Sequence, residues 1–191
     1  MPKDAITEFK TLLTKAEYER ILKTLNKKDG NTQTDYYFDT KRFTLKASES
    51  ELRVKEKDNL LLRVERKRGY NRVRVEEPIT KEQFESFKTT GVIPIQKIAN
   101  EINDIVKDQK IVNFLTISTY RVSFIYNGNR GKVSIDKCKY LDKVDYELEF
   151  EAPNREAGKN DFVAIIKEYN ITYKKSQIKI KRAYDALRKQ I

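Results

Sequence analysis

Apolar and charged residues alternate through much of this chain, and the alternation predicts strands. In "YELEFEA", residues 146–152, Glu147, Glu149 and Glu151 take every second position, with Leu148 and Phe150 between them. Successive side chains of a strand point to opposite faces, so the three carboxylates would share one face and the apolar groups the other. The same period appears in "AITEFKTLL", where Glu8 and Lys10 flank Phe9, in "TDYYFDT" and in "NRVRVEE", which Pro78 is expected to stop. "LRVKEKDNLLLRVERK" reads as a hairpin turning near Asp58-Asn59, and "FLTISTYRVSFIYNGNRGKVSIDKCKYL" as a longer one turning at "NGNRG". "SQIKIKRAYDALRKQI" begins as an alternating strand and finishes helical.

Four stretches carry the helical period instead. "TKAEYERILKTLN" opens with a capping box, Thr14 to Glu17, and sets Tyr18, Ile21, Leu22 and Leu25 on one stripe. "TKEQFESFKTTG" repeats the box with Thr80 and Gln83 and ends at Gly91. "QKIANEINDIVKD" puts Ile98, Ile102 and Ile105 on one stripe, and "KNDFVAIIKEYNI" is amphipathic. The sum is about eight strands and about four helices, with connections short enough for mostly antiparallel pairing: an α+β chain read as one domain over residues 1–191. Tyr36 and Phe38 share a face and are expected in the core.

The polar strand faces are charged to an unusual degree. Arg53 and Lys55 flank Val54; Arg63 and Glu65 flank Val64, with Lys67 beyond; Arg72, Arg74 and Glu76 flank Val73 and Val75; Lys179 and Lys181 flank Ile180; Arg121 sits between Tyr120 and Val122. Two arrangements account for this. The charged face of an antiparallel sheet is open to water while helices cover the apolar face. Alternatively the sheet curls with its charged faces inward, enclosing a wet, ligand-filled channel. In the second case basic strands would hold phosphate oxygens. The acid row, whose like charges repel, would hold a divalent cation.

Composition narrows the chemistry. The chain has 191 residues, 36% charged and 38% hydrophobic, with a formal charge of +11. That excess favours an anionic partner, small or polymeric. The absence of His removes the usual general base and the commonest transition-metal ligand. Hydrolytic chemistry would have to run on carboxylates, Lys, Tyr or a hard metal ion. Cys138 is the single cysteine; it excludes an internal disulfide and is expected to be inert. No apolar run is long enough for a membrane span and no secretory signal opens the chain. A cytoplasmic protein with no membrane partner is expected; the sequence leaves monomer and homodimer open.

In order along the chain, "TEFKTLLTKAEYERIL", "QTDYYFDTKRFTLK", "LRVKEKDNLLLRVERK", "VSIDKCKYLDKVDYELEFEA" and "IKIKRAY" resemble the CYTH family, the triphosphate tunnel metalloenzymes. The resemblance implies an eight-stranded antiparallel β-barrel, the triphosphate tunnel, with helices packed outside. It also implies hydrolysis of the terminal phosphate of a triphosphate with Mg²⁺ or Mn²⁺. Carried over by position, Glu8, Asp136, Glu147 and Glu149 match metal-binding residues, and Lys10, Arg53, Lys55, Arg121, Lys179 and Arg182 match phosphate contacts. Arg63, Arg72 and Arg74 join the phosphate set from the charge pattern, with register deciding between Arg72 and Arg74. Glu8, Lys10, Glu147 and Glu149 form the expected catalytic set.

Two positions depart from the family's pattern. The first glutamate of its opening E-x-E-x-K falls on Ile6, with Asp4 two residues earlier on the same face. The Thr-x-Lys of its second hairpin strand falls on Arg63 and Glu65. A one-residue shift would bring Arg66 to the lysine position, but it would turn Leu62 and Val64 inward, so the unshifted register is preferred, with Lys67 as a stand-in. The expected substrate is inorganic tripolyphosphate, a nucleoside triphosphate or an RNA 5′-triphosphate end. The departures keep open a degenerate, non-catalytic binder of a phosphorylated ligand or partner. Adenylate cyclase chemistry is a further alternative within the family.

Overall fold

Period-two patterning builds eight strands: β1 (Thr7–Leu13), β2 (Asn31–Thr40), β3 (Ser50–Glu56), β4 (Leu60–Arg68), β5 (Asn71–Ile79), β6 (Ile111–Tyr126), β7 (Gly131–Tyr140) and β8 (Lys143–Ala152). The six helices are α1 (Lys15–Leu25), α2 (Thr44–Ala47), α3 (Lys81–Thr90), α4 (Gln96–Val106), α5 (Arg155–Glu168) and α6 (Lys179–Arg188). The computed structural model describes residues 6–26, 29–69, 71–128 and 130–190. Asp4 and the hairpin residue Asn129 lie outside the described residues. The strand order is β1-β8-β7-β6-β2-β3-β4-β5, so β1 and β5 are the sheet's edges and hydrogen bonds do not close it into a ring. The fold is the expected eight-stranded antiparallel sheet with helices. No helix among the described residues is long and apolar enough to cross a membrane.

The chain divides into two compact units. The first comprises Met1–Thr32 with Ser118–Ile191, the second Gln33–Ile117. In the first, Phe9 opposes Phe150, and Val133 lies between Phe124 and Phe150 in the β6-β7-β8 register. This apolar face packs with Tyr18 and Ile21 of α1 and Phe162 and Ile165 of α5. In the second unit Leu52, Val54, Leu62 and Val64 pack with Phe84 and Phe87 of α3 and Ile98 and Ile102 of α4. Tyr36 and Phe38 join this core as expected, Phe38 stacking on Phe87 at 4.2 Å between ring centres. The buried stripe of α4 ends on Val106, while Ile105 is only partly buried.

The preferred register of the second hairpin holds. Arg53 opposes Arg63 and Glu51 opposes Glu65, with Leu62 and Val64 on the helix side. Arg66 therefore also turns to the helices, where it grips Asp104 of α4 at 2.7 and 2.9 Å. Two expectations need correction. Pro78 does not stop β5: the strand continues to Ile79, with Pro78 opposite Leu61. An edge strand tolerates the missing N–H on its unpaired side. The alternating "IKIK" is not a strand either. Apart from one bridge, Thr11 to Lys175, the segment stays irregular, and α6 starts at Lys179 because Ala183 and Ala186 find burial at helical spacing. This helix lies on the charged side of the first unit, not outside it, as its contacts below establish.

Both capping boxes form, and Gly91 ends α3 in the left-handed conformation at φ 79°. The first box does more than cap. Glu17 Oε2 accepts from the Thr14 N–H at 2.7 Å, while Oε1 accepts from the Thr172 N–H at 2.9 Å, which ties the C-terminal segment to α1. Burial raises the Glu17 carboxyl, and these backbone donors outweigh it and hold it below its ordinary value. Glu17→Ala removes the box and the tie together. The expected loss is about 1–2 kcal/mol, the upper range for a cap, readable as a lower melting temperature with unchanged secondary structure.

Candidate functional site

The charged face of the first unit follows directly from register. Asp136 on β7 stands between Arg121 on β6 and Glu147 on β8; Ser134 opposes Glu149, which in turn opposes Lys10 on β1. One oxygen each of Asp136, Glu147 and Glu149 lies within 4.8 Å of the others. All three residues are buried, Asp136 and Glu147 completely. Three like charges at this depth require cations, and the chain supplies three. Arg121 grips Asp136 through Nε at 2.7 Å and Nη2 at 2.6 Å, and its Nη2 also donates to Glu149. Lys179 Nζ donates to Asp136 and, at 2.8 Å, to Glu149, and sits 3.7 Å from Glu147. Arg182 holds Glu147 Oε2 at 2.6 Å and Asp145 at 3.0 Å.

Lys179 and Arg182 reach the acids together because they sit three apart on α6, where i and i+3 share a face. On a strand, Lys179 would have been matched with Lys181 instead. Burial opposes ionisation of Glu149, but Lys179 and Arg121 outweigh it and hold its carboxyl down at about 2. Glu147 goes the other way. Burial raises it, helped by Glu149, and Arg182, Ser176 and Lys179 offset only part. Its Oε2 accepts from Ser176 and Arg182, while Oε1 is buried with no hydrogen-bond partner. An orphaned carboxylate oxygen beside two further buried carboxylates is a donor set that fits a hard divalent cation, which takes oxygen ligands. Asp136, Glu147 and Glu149 are the residues that would hold it.

Not every expected residue joins this cluster. Glu8 is exposed and pairs with Lys10 at 2.9 Å, outside the acid trio. Ile6, just ahead of β1, is exposed. Glu151 opposes both Glu8 and Lys132, at the end of the acid row. Sequence reasoning missed Asp145 and Ser176. Asp145 was signalled, since it precedes Glu147 by two in the same alternation. Ser176 lies in an irregular segment and had no signal. Cys138 lies against this site, completely buried, with the Thr119 hydroxyl 3.7 Å from its sulfur. Burial pushes its thiol up to about 12. At neutral pH iodoacetamide is expected to label Cys138 only after denaturant unfolds the chain, which mass spectrometry would show.

The second unit carries the other basic candidates, and most are paired. Arg53 lies 3.6 Å from Asp35, 3.4 Å from Glu51 and 3.4 Å from the Tyr37 hydroxyl. Arg63 grips Glu76 and lies 3.7 Å from Glu65, whose other partner is Arg74 at 2.8 Å. Lys67 pairs with Glu49 at 2.7 Å. Arg72 and Arg74 share a face, with Arg72 exposed opposite Lys67. Lys55 opposes Asp35 and Leu61, and no carboxylate among the described residues forms an ion pair with it. Burial lowers its ammonium below the ordinary value.

A sheet of this order, with a buried acid trio on one unit and a basic face on the other, belongs to a known class. The CYTH domain model matches residues 6–184, and the chain is a member of that family. Over the full length of both chains it is 28% identical to YjbK of Bacillus subtilis (strain 168), provisionally named a triphosphatase. A Bacillus halodurans crystal structure, provisionally named an adenylate cyclase, matches with a TM-score of 0.74 and 25% identity, covering 95% of this chain and 98% of that one. HpAC1 from Hippeastrum matches with a TM-score of 0.77 over 95% of this chain and 96% of that one, at 18% identity. It is described as an adenylyl cyclase candidate with a dominant triphosphatase activity. At that identity the likeness extends to the fold.

Proposed function

We propose that this protein hydrolyses the terminal phosphate of a triphosphate with Mg²⁺ or Mn²⁺ held by Asp136, Glu147 and Glu149. The observation that carries this reading is Glu147 Oε1, buried without a hydrogen-bond donor and only 3.7 Å from Lys179 Nζ, in a trio of carboxylates whose oxygens lie within 4.8 Å of one another. The provisional triphosphatase name of the B. subtilis relative supports it. When bound, the ion supplies charge neutralisation at the phosphoryl group and lowers the pKa of an attacking water. Arg121, Lys179 and Arg182 balance the acids in this structure, and with an ion held by the acids their charge would be available to phosphate oxygens. The fixed fork of Arg121 suits an in-line phosphate chain, where catalysis is mainly positioning and electrostatic stabilisation. Lys10 and Glu8 flank the trio on β1 and orient the same phosphates and waters. In the second unit Lys55, unpaired and half-buried, is the cation best suited to take a phosphate oxygen. Arg53, Arg63, Arg72 and Arg74 add positive charge on the same face. The family model spans both units, which supports reading them as one functional domain.

A phosphate-release panel tests this reading. Tripolyphosphate, ATP, thiamine triphosphate and 5′-triphosphorylated RNA are each supplied with Mg²⁺, with Mn²⁺ and with EDTA. Orthophosphate release from at least one substrate, abolished by EDTA, is expected. Ligand-dependent thermal stabilisation without any release would instead identify a binder, as Ile6 and Glu65 would allow. Cyclic AMP with pyrophosphate would identify a cyclase. The formal charge of +11 favours the RNA end among the substrates, because a basic exterior steers a polyanion.

A further inference from the structure

The opposite face of the first unit holds a second arrangement that the acid trio does not explain. Lys137 and Lys139 alternate with the buried Asp136 and Cys138 on β7, so they project to the helix side of the sheet. Across the strands Lys137 faces Tyr120 and Tyr146, and Lys139 faces Ser118 and Val144. No carboxylate stands opposite either ammonium, and among the described residues neither forms an ion pair. Arg121, Lys179 and Arg182 on the other face all do. Two like charges two residues apart on one strand face repel, and nothing on the neighbouring strands compensates them.

These lysines border a pocket of about 370 Å³, walled by Tyr18, Tyr120, Ser118 and Thr32. Tyr18 is buried and packs against Tyr146 at 4.7 Å, which fixes the aromatic wall. Gly30 lets the chain pass close to Tyr120: a Cβ there would stand 2.8 Å from its ring. The pocket therefore combines uncompensated cations, aromatic surface and hydroxyls in a volume suited to a small molecule. We propose that it binds a nucleoside monophosphate. Lys137 and Lys139 hold the phosphate, Tyr18 and Tyr120 present apolar aromatic surface to the base, and Ser118 and Thr32 offer hydroxyls to the sugar. The site lies on the far side of the sheet from Asp136, Glu147 and Glu149, and it needs no metal.

Titration calorimetry of the intact protein in EDTA tests this, with AMP, ribose 5-phosphate and inorganic phosphate as probes. AMP should bind saturably, and at least about fivefold tighter than ribose 5-phosphate, as base stacking on an aromatic wall would give. The K137A/K139A double variant, folded by circular dichroism, should lose at least tenfold in AMP affinity while its metal-dependent phosphate release matches the parent. Glu147→Gln should bind AMP as the parent does. The proposal is overturned by any of four results: no saturable AMP binding, equal binding of AMP and ribose 5-phosphate, AMP affinity unchanged in the double variant, or AMP affinity lost in Glu147→Gln. Because binding is read without metal, the outcome is independent of whether the protein hydrolyses triphosphates.

Discussion

Glu147→Gln is expected to lower metal-dependent phosphate release on the order of a hundredfold or more while the protein stays folded, the size of loss typical for one electrostatic group at a reacting phosphoryl or acyl centre. The two halves of this result have separate causes. Burial already raises the Glu147 carboxyl, so the interior disfavours its charge; a neutral amide of the same shape relieves that desolvation but leaves Arg182 and Lys179 less compensated, so the variant stays folded with a lowered melting temperature. The amide oxygen can still accept from Ser176 and Arg182, as Oε2 does now. What the amide cannot supply is the charge of a metal ligand at Oε1, the oxygen that lacks a hydrogen-bond donor. Orthophosphate release and a melting curve on the same preparation separate the effects. Release equal to the parent's would take Glu147 out of the site.

Arg121→Ala should produce the largest loss of stability. Arg121 is shared by Asp136 and Glu149, and both acids are buried. Removing one partner of a buried ion pair costs about 3–5 kcal/mol, and without Arg121 the two acids keep Lys179 as their shared cation, which holds the cost to the lower end. Arg121 is itself 30% exposed, so the lower end, about 3 kcal/mol, is expected. For a chain of this size that is roughly a 6–12 °C drop in melting temperature. The sign of the pH dependence follows from Glu149. Lys179 and Arg121 hold its folded-state pKa at about 2, below the unfolded value. That stabilisation is fully present above the unfolded pKa, about 4.3, and is lost as pH falls toward 2. The gap between parent and variant should therefore be widest near neutral pH and close in acid. Mn²⁺ should raise the melting temperature of Arg121→Ala more than that of the parent, because the ion no longer competes with the guanidinium for Asp136 and Glu149. A gap independent of pH would contradict the assignment of Arg121 to these acids.

The sheet was legible because its faces differ so sharply. With Leu62 and Val64 apolar and Arg63 and Glu65 charged, a one-residue slip would bury charge against α3 and α4, and the observed register avoids that. The acid trio was legible for the same reason, since alternation in "YELEFEA" puts Glu147 and Glu149 on one face. Its completion was not. Asp136 belongs to it by cross-strand pairing with Glu147, which only order along the family pattern had suggested. Lys179 and Arg182 arrive through a helix that local alternation disguises as a strand, and burial of Ala183 and Ala186 decides the matter. Pro78 misled because local sequence does not reveal which strand will be an edge. The four-residue α2 lacked any periodic signal, being held by Asp39, which accepts from the Leu45 and Lys46 N–H groups at 2.9 and 3.0 Å. The charge pattern named the cations of the second unit but not their partners, Asp35 and Glu51 beside Arg53.

Whether Asp136, Glu147 and Glu149 hold a divalent cation is most directly read by electron paramagnetic resonance of Mn²⁺ titrated into the protein. Free Mn²⁺ gives a strong six-line spectrum that diminishes when the ion is bound. The parent should suppress that signal, and a folded D136N/E147Q/E149Q variant should leave it at full strength. Equal suppression by parent and variant would contradict the account.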